Sequence, residues 1–167
     1  MNAIRTARPE DRAAIRTVEE RAFGRTDEAD LVDALVAAGD AVLELVAERD
    51  GHIVGHILFT RLAVESGEQD IDAVALAPLA VLPDFQGKGI GSALIVEAHR
   101  CLRDQGETLS VVLGDPAYYG RFGYRHDRAA GFDSVFQCEE LMALAWGAAP
   151  LRGRLAYAPA FGAEAGG

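Results

Sequence analysis

The chain has 167 residues, and its 16 Lys and Arg stand against 26 Asp and Glu for a formal charge of −10. That balance argues against a polyanionic partner, because nucleic-acid binding relies on clustered cations to neutralise phosphates. Half of the residues are hydrophobic, which at this length suits one globular domain, residues 1–167, with a real core. No apolar run approaches the roughly eighteen residues of a membrane span, and MNAIRTARPEDR turns polar too early for a secretory leader, so no membrane association and a cytoplasmic location are expected. Cys101 and Cys138 are too few to staple the domain and lack metal-ligand spacing, so no metal is expected and Cys101 is read as buried packing.

In chain order, Asn2 to Thr6 is a short strand. Pro9 opens a helix over about Glu10 to Phe23 with Ala14, Ile15, Val18 and Phe23 as its apolar stripe. Residues 27–38 form a second helix, capped by Asp27, carrying Leu31, Leu35 and Ala38, and stopped by Gly39. Residues 41–64 read as a hairpin turning at Asp50-Gly51, a pair that tolerates positive φ. The strand from about Asp72 to Leu82 is nearly all apolar and so buried on both faces. A helix from Gly89 to about Gln105 comes next, with Ile90, Leu94, Ala98, Cys101 and Leu102 on one face and Gly106 as its stop. LSVVLGD from Leu109 to Asp115 is the next strand, Phe132 to Trp146 supplies closing strands, and the last five or so residues form a mobile tail. The order β-α-α-β-β-β-α-β-α-β is that of a mixed α/β sheet.

The most informative segment is LAVLPDFQGKGIG, Leu79 to Gly91, a strand end that passes through a glycine-dense turn into a helix. Gly87, Gly89 and Gly91 remove every second side chain. Backbone N–H groups can then converge on one point, and the helix adds its unpaired first-turn donors and positive dipole end. A pyrophosphate fits such a cradle. A Walker loop would need Gly at Leu82 and Ser or Thr at Gly89, and the dinucleotide fingerprint would need Gly at Ser92, so both of those readings fail.

Gln86, Gly89 and Gly91 form Gln-x-x-Gly-x-Gly after a Leu-Ala-Val strand end, and PAYYGRFGY comes after the next strand with Tyr118, Tyr119, Gly123 and Tyr124 in an aromatic-Tyr-x-x-x-Gly-aromatic pattern. Together these motifs resemble the GNAT superfamily of acyl-CoA-dependent N-acyltransferases, most closely a bacterial subgroup of small acetyltransferases, over residues 1 to about 135. The resemblance implies a mixed central sheet with a splayed strand pair that admits acyl-CoA, and flanking helices. It implies that Leu79, Ala80 and Val81 pair their backbone with the pantetheine arm, and that Gln86, Gly87, Lys88, Gly89, Ile90, Gly91 and Ser92 hold the pyrophosphate. Leu79 to Val81 can equally be read as an ordinary core strand. Lys88, the chain's single lysine, either faces the phosphates or solubilises the turn.

The implied function is transfer of acetyl from acetyl-CoA to a primary amine by direct attack in a ternary complex; the alternative is a non-catalytic acyl-CoA-binding or sensing module. Tyr119 matches the family's general acid. Its phenol, near pKa 10 when unperturbed against about 8.5 for a thiol, stays protonated at neutral pH and can donate to the departing sulfur. The other reading of Tyr119 is an aromatic core plug, a part that suits Tyr118 and Phe122 better. Many relatives carry a carboxylate base just before the Leu-Ala-Val segment, but Leu76, Ala77 and Pro78 stand there. His56, on the second hairpin strand, and Asp115 are candidate bases, Glu44 lies between Val42 and Val46 on the first hairpin strand, and a water chain or an amine arriving already neutral is equally open. His56 can equally be packed and Asp115 can simply start a turn before Pro116. The expected partner is a small-molecule or peptide amine, cationic or neutral given the charge and the polar stretch Arg21 to Asp30; a second copy in a homodimer stays open.

Overall fold

The computed structural model describes residues 3–162. It is a mixed α/β chain with a central, mostly antiparallel sheet flanked by helices. Its contacts group into two compact units: one runs to Phe59 and takes in Pro78–Cys101, and the other is Thr60–Ala77 with the chain from Leu102 on.

In the first unit, β1 (Ala3–Thr6) pairs antiparallel with β2 (Ala41–Arg49), Ala3 opposite Glu48 and Thr6 opposite Leu45. Asn2, expected to open β1, lies outside the described residues, as do 163–167, where the mobile tail is expected. β2 turns into β3 (His52–Glu65) at Asp50 and Gly51, with φ of 53° and 79°. Both values are positive, as a two-residue hairpin turn requires and as the Asp-Gly pair signalled. The end of β4 (Asp70–Val81) is tied to β3 where the Leu82 N–H donates to the Val54 carbonyl at 2.9 Å.

The helix expected from Glu10 begins later. Pro9–Asp11 is a 3₁₀ turn and α1 is Arg12–Phe23. Asp11 holds that turn by accepting from the Arg8 N–H at 2.7 Å and from Arg5 at 2.7 and 3.0 Å, and the Arg5 guanidinium lowers its carboxyl to about 2. Phe23, placed in the apolar stripe, is 41% exposed, while Glu19 is fully buried beside Val18. In α2 (Asp27–Ala37) the cap position belongs to Thr26, and Asp27 is the first helical residue. The buried face is Ala29, Val32 and Leu35, whereas Ala38 of the expected stripe lies outside the helix and exposed. An acidic first turn of Asp27, Glu28 and Asp30 suits the positive helix end there. α3 (Ile90–Asp104) seats Ile90 and Leu94 over Gly55, where a Cβ would come within 3.0 Å of Ile90. Cys101 is half-buried, less enclosed than its place on the apolar stripe suggested, because it sits at the edge of that stripe beside Glu97 and Arg100.

In the second unit, the first half of β4 pairs parallel with β5 (Leu109–Leu113), and β5 pairs antiparallel with β7 (Leu141–Ala145). On the other side, β8 (Gly153–Ala156) lies antiparallel to the end of β3 and parallel to β6 (Phe132–Asp133). Two short helices, α4 (Pro116–Tyr119) and α5 (His126–Ala129), fill the connection after β5. The core of this unit gathers Leu62, Val64, Ala75, Val111, Phe132 and Leu155, all at most 5% exposed. Among the described residues no helix is long and apolar enough to cross a membrane.

Candidate active site

The glycine turn of the first unit is built as an open cradle. Gly87 and Gly89 have φ of 75° and 82°, which other residues adopt only at a cost, and a Cβ at either would meet nothing within 4 Å. Gly89 caps α3, whose first intrahelical bond runs from the Ala93 N–H to the Gly89 carbonyl at 3.0 Å. The backbone N–H groups ahead of Ala93 belong to the first turn, whose donors a helix does not use in its own ladder. Gln86 reaches back, its Nε2 donating to the Val81 carbonyl at 2.9 Å, and so fixes the turn against the strand end. Leu79 and Val81 are half-buried and Ala80 is 3% exposed. Ile90 is 1% exposed, so any contact it makes to a ligand is through its backbone.

Phe85 adds a feature the sequence did not mark. Two cations stand over its ring, with Lys88 Nζ at 5.5 Å and Arg49 Cζ at 5.6 Å from the ring centre. Among the described residues neither cation has an ion-pair partner, in a chain where most arginines are paired with acids. Arg49 stands directly before the hairpin turn, which was the available signal.

His56 is 0% exposed, in a buried chain of charge. Its Nδ1 is 2.6 Å from Glu19 Oε2 and its Nε2 2.7 Å from Glu44 Oε2, and Glu44 Oε1 accepts from Arg12 at 2.5 Å. Burial opposes charge on the imidazole, but the two carboxylates outweigh it and raise His56 above its ordinary value. Burial raises Glu19 as well, while on Glu44 the bonds from His56 and Arg12 prevail over burial and lower it. A protonated His56 with both nitrogens engaged has no lone pair for an incoming amine. Glu19, four residues after the buried Ile15 on the same helix face, is the partner that sequence reasoning overlooked.

In the second unit, Asp115 is exposed and caps α4, its Oδ1 accepting the Ala117 N–H at 3.0 Å. That is the turn-starting part it was offered as the alternative to a base. The helix it starts presents Tyr119, half-buried, edge-on to Tyr118 at 5.1 Å and to Tyr124 at 6.0 Å. Burial, with a smaller push from Tyr118, raises the Tyr119 phenol to about 12. The ring lies over Gly114, where a Cβ would sit 2.5 Å from Tyr119 Cε2, so any larger residue there must displace the ring. The core plug of the segment is Tyr124, 1% exposed and bonded to Ser110 at 2.8 Å, rather than the half-buried Tyr118 and Phe122. Beside this segment β4 and β5 pair for only three residues, from Val74 opposite Ser110 to Leu76 opposite Val112.

A GNAT acetyltransferase domain model matches residues 3–126. The chain belongs to the GNAT acetyltransferase family. It is 47% identical over 117 residues to the uncharacterized N-acetyltransferase YjhQ of Escherichia coli, 68% of this chain and 64% of that protein, so the match spans just under two thirds of YjhQ. A GNAT family acetyltransferase from Brucella melitensis, crystallised in complex with acetyl-CoA, superposes with a TM-score of 0.83 at 38% identity, covering 97% of this chain and 99% of that one. The GNAT family N-acetyltransferase YhbS from Escherichia coli, crystallised with CoA, superposes with a TM-score of 0.85 at 28% identity, covering 96% and 91%. The mixed sheet of this GNAT chain, expected from its sequence, is the fold of these neighbours.

Proposed function

We propose that this GNAT chain is an N-acetyltransferase that moves acetyl from acetyl-CoA to a primary amine by direct attack. The observation that carries the reading is the cradle: two glycines at positive φ, open space above both, and a fifteen-residue helix beginning at their end. Both crystallised neighbours named above hold CoA or acetyl-CoA. In this reading the backbone N–H groups from Gly87 to Ser92 bind the pyrophosphate, and Lys88 and Arg49, free of acidic partners, add positive charge beside them. In the same reading Leu79, Ala80 and Val81, at the end of β4, pair their backbone with the pantetheine arm as one strand receives another.

The amine nitrogen attacks the thioester carbonyl carbon; the C–N bond forms, the C–S bond breaks, nitrogen loses a proton and sulfur gains one. Tyr119 supports the sulfur. With its phenol near 12 against about 8.5 for a thiol, complete transfer from Tyr119 is uphill by roughly 5 kcal/mol. Its part is therefore a hydrogen bond that strengthens as charge develops on sulfur, with the proton balance closed by the one the amine releases. Neither His56 nor Asp115 serves as base in this scheme, since both are committed to other partners.

The test is Tyr119→Phe, which removes one hydroxyl and keeps the ring. Turnover should fall at least tenfold with acetyl-CoA affinity little changed, the mark of an interaction made chiefly in the transition state. Unchanged turnover when chemistry limits the rate returns Tyr119 to packing.

A further inference from the structure

The second unit contains a pocket lined without a charged side chain. It holds about 240 Å³, floored by β4 from Ala75 to Ala77 and β5 from Val111 to Leu113, with Phe136, Tyr157 and Phe161 as walls. The floor lies where the β4–β5 ladder stops, at Leu76 and Val112. The walls brace one another edge to face, Phe136 on Tyr157 at 5.0 Å and Tyr157 on Phe161 at 6.0 Å. The Tyr157 hydroxyl is bonded to Ser134 Oγ at 2.9 Å, and Ser134 also accepts the Phe136 N–H at 3.1 Å. Gln137 clamps the same loop, donating to the Ala129 and Phe132 carbonyls at 3.1 and 2.9 Å. The walls are thus held in place, and their polar atoms are satisfied within the loop.

Such a space selects by chemistry. A charged or strongly polar group would shed water there and find no partner. A dry apolar cavity of about 150 Å³ takes benzene, so this one has room for a phenyl ring with a short linker or for a branched alkyl group. Position narrows the occupant further. All three walls lie beyond residues 3–126, the span the GNAT model matches. Leu113, half exposed, lines the pocket, and the next residue, Gly114, lies under the Tyr119 ring.

We infer that this pocket takes the non-reacting part of the acceptor, and that the acceptor is a small amine bearing an uncharged aryl or branched alkyl group. The inference rests on the acetyltransferase reading and adds the substrate class to it. The negative surface draws in the ammonium end, while the pocket sorts amines by the group attached to that end.

The experiment measures thiol release from acetyl-CoA with ethylamine, butylamine, 2-phenylethylamine, 1,4-diaminobutane and glucosamine, with ligand-observed NMR for binding. From ethylamine to butylamine kcat/KM should rise about fourfold per buried methylene. 2-Phenylethylamine should exceed 1,4-diaminobutane at least tenfold. Phe136→Ala and Phe161→Ala should each raise KM for 2-phenylethylamine at least tenfold while acetyl-CoA still raises the melting temperature. Equal use of 1,4-diaminobutane or glucosamine overturns the inference, as does indifference of the aryl preference to both variants, or no binding of 2-phenylethylamine at millimolar concentration. Faster transfer from hexanoyl-CoA than from acetyl-CoA, lost in Phe161→Ala, overturns it too by giving the pocket to the acyl chain. A chain that binds 2-phenylethylamine through Phe161 yet gains no stability from acetyl-CoA supports the pocket assignment and sinks the acetyltransferase reading instead.

Discussion

Gly114→Ala disturbs Tyr119 without altering it. The added Cβ would stand 2.5 Å from Cε2 and 3.0 Å from Cδ2 of the ring, against an optimum of about 3.5–4.0 Å for carbon pairs, so the ring edge must withdraw by about 1 Å. Retreat is not free, because Tyr118 and Tyr124 both meet that ring edge-on. Gly114 lies outside the positive-φ region, so alanine brings crowding and no backbone strain; overpacking of this kind costs about 1–3 kcal/mol of stability. A misplacement of about 1 Å in a catalytic group can cost on the order of 10² in rate. Initial rates of thiol release at saturating acetyl-CoA should therefore drop on the order of a hundredfold in a variant that still melts cooperatively. In combination with Tyr119→Phe the penalty should largely vanish, since no hydroxyl remains to misplace. A single variant within twofold of the parent, or a double variant that loses the product of both effects, refutes the reasoning.

At the cradle, Gly89→Val forces a β-branched residue to a φ of 82° and covers the open donors; the melting shift produced by acetyl-CoA should disappear while the variant stays folded, and a retained shift would move the phosphate site elsewhere. For the buried charge chain, the folded pKa values of His56 and Glu19 are both raised, so the stability each contributes is complete below its unfolded value and is lost as pH rises through the folded one. Glu44, lowered, acts in the opposite sense only below about pH 4.3. The melting temperature should accordingly fall as pH is raised from about 6.5, and His56→Gln should flatten that slope and cost about 3–5 kcal/mol near pH 6 by leaving buried carboxylates uncompensated. A melting temperature that climbs with pH above 6.5, or an equal slope in the variant, would mean that His56 is neutral in the folded chain.

Legibility in the sequence tracks how local each signal is. The hairpin at Asp50-Gly51, the stop at Gly106 and the turn at Gly87 and Gly89 into α3 are set by φ requirements within a few residues, and the structure has them in those places. The start of α1 escapes a local reading because Asp11 is held by Arg5 on β1, a contact outside its own helix. The buried face of α2 is Ala29, Val32 and Leu35, since small Ala29 suits the tight interior better than its low hydrophobicity suggests. His56 looks available in the sequence because a strand pattern cannot show that carboxylates from α1 and β2 meet both its nitrogens. Gly114 and the aromatic walls at Phe136, Tyr157 and Phe161 depend on contacts between segments far apart in sequence, which no spacing rule encodes.

The most direct measurement is amine-dependent release of free CoA thiol from acetyl-CoA, with the product identified by mass spectrometry. An N-acetyltransferase releases thiol only when acetyl-CoA and an acceptor amine are both present, yields the N-acetylated amine in equal amount, and slows when Tyr119 becomes Phe. Stabilisation by acetyl-CoA with no thiol release from any amine would contradict it and leave an acyl-CoA-binding module; stabilisation by ATP or NAD in place of CoA would contradict the cradle itself.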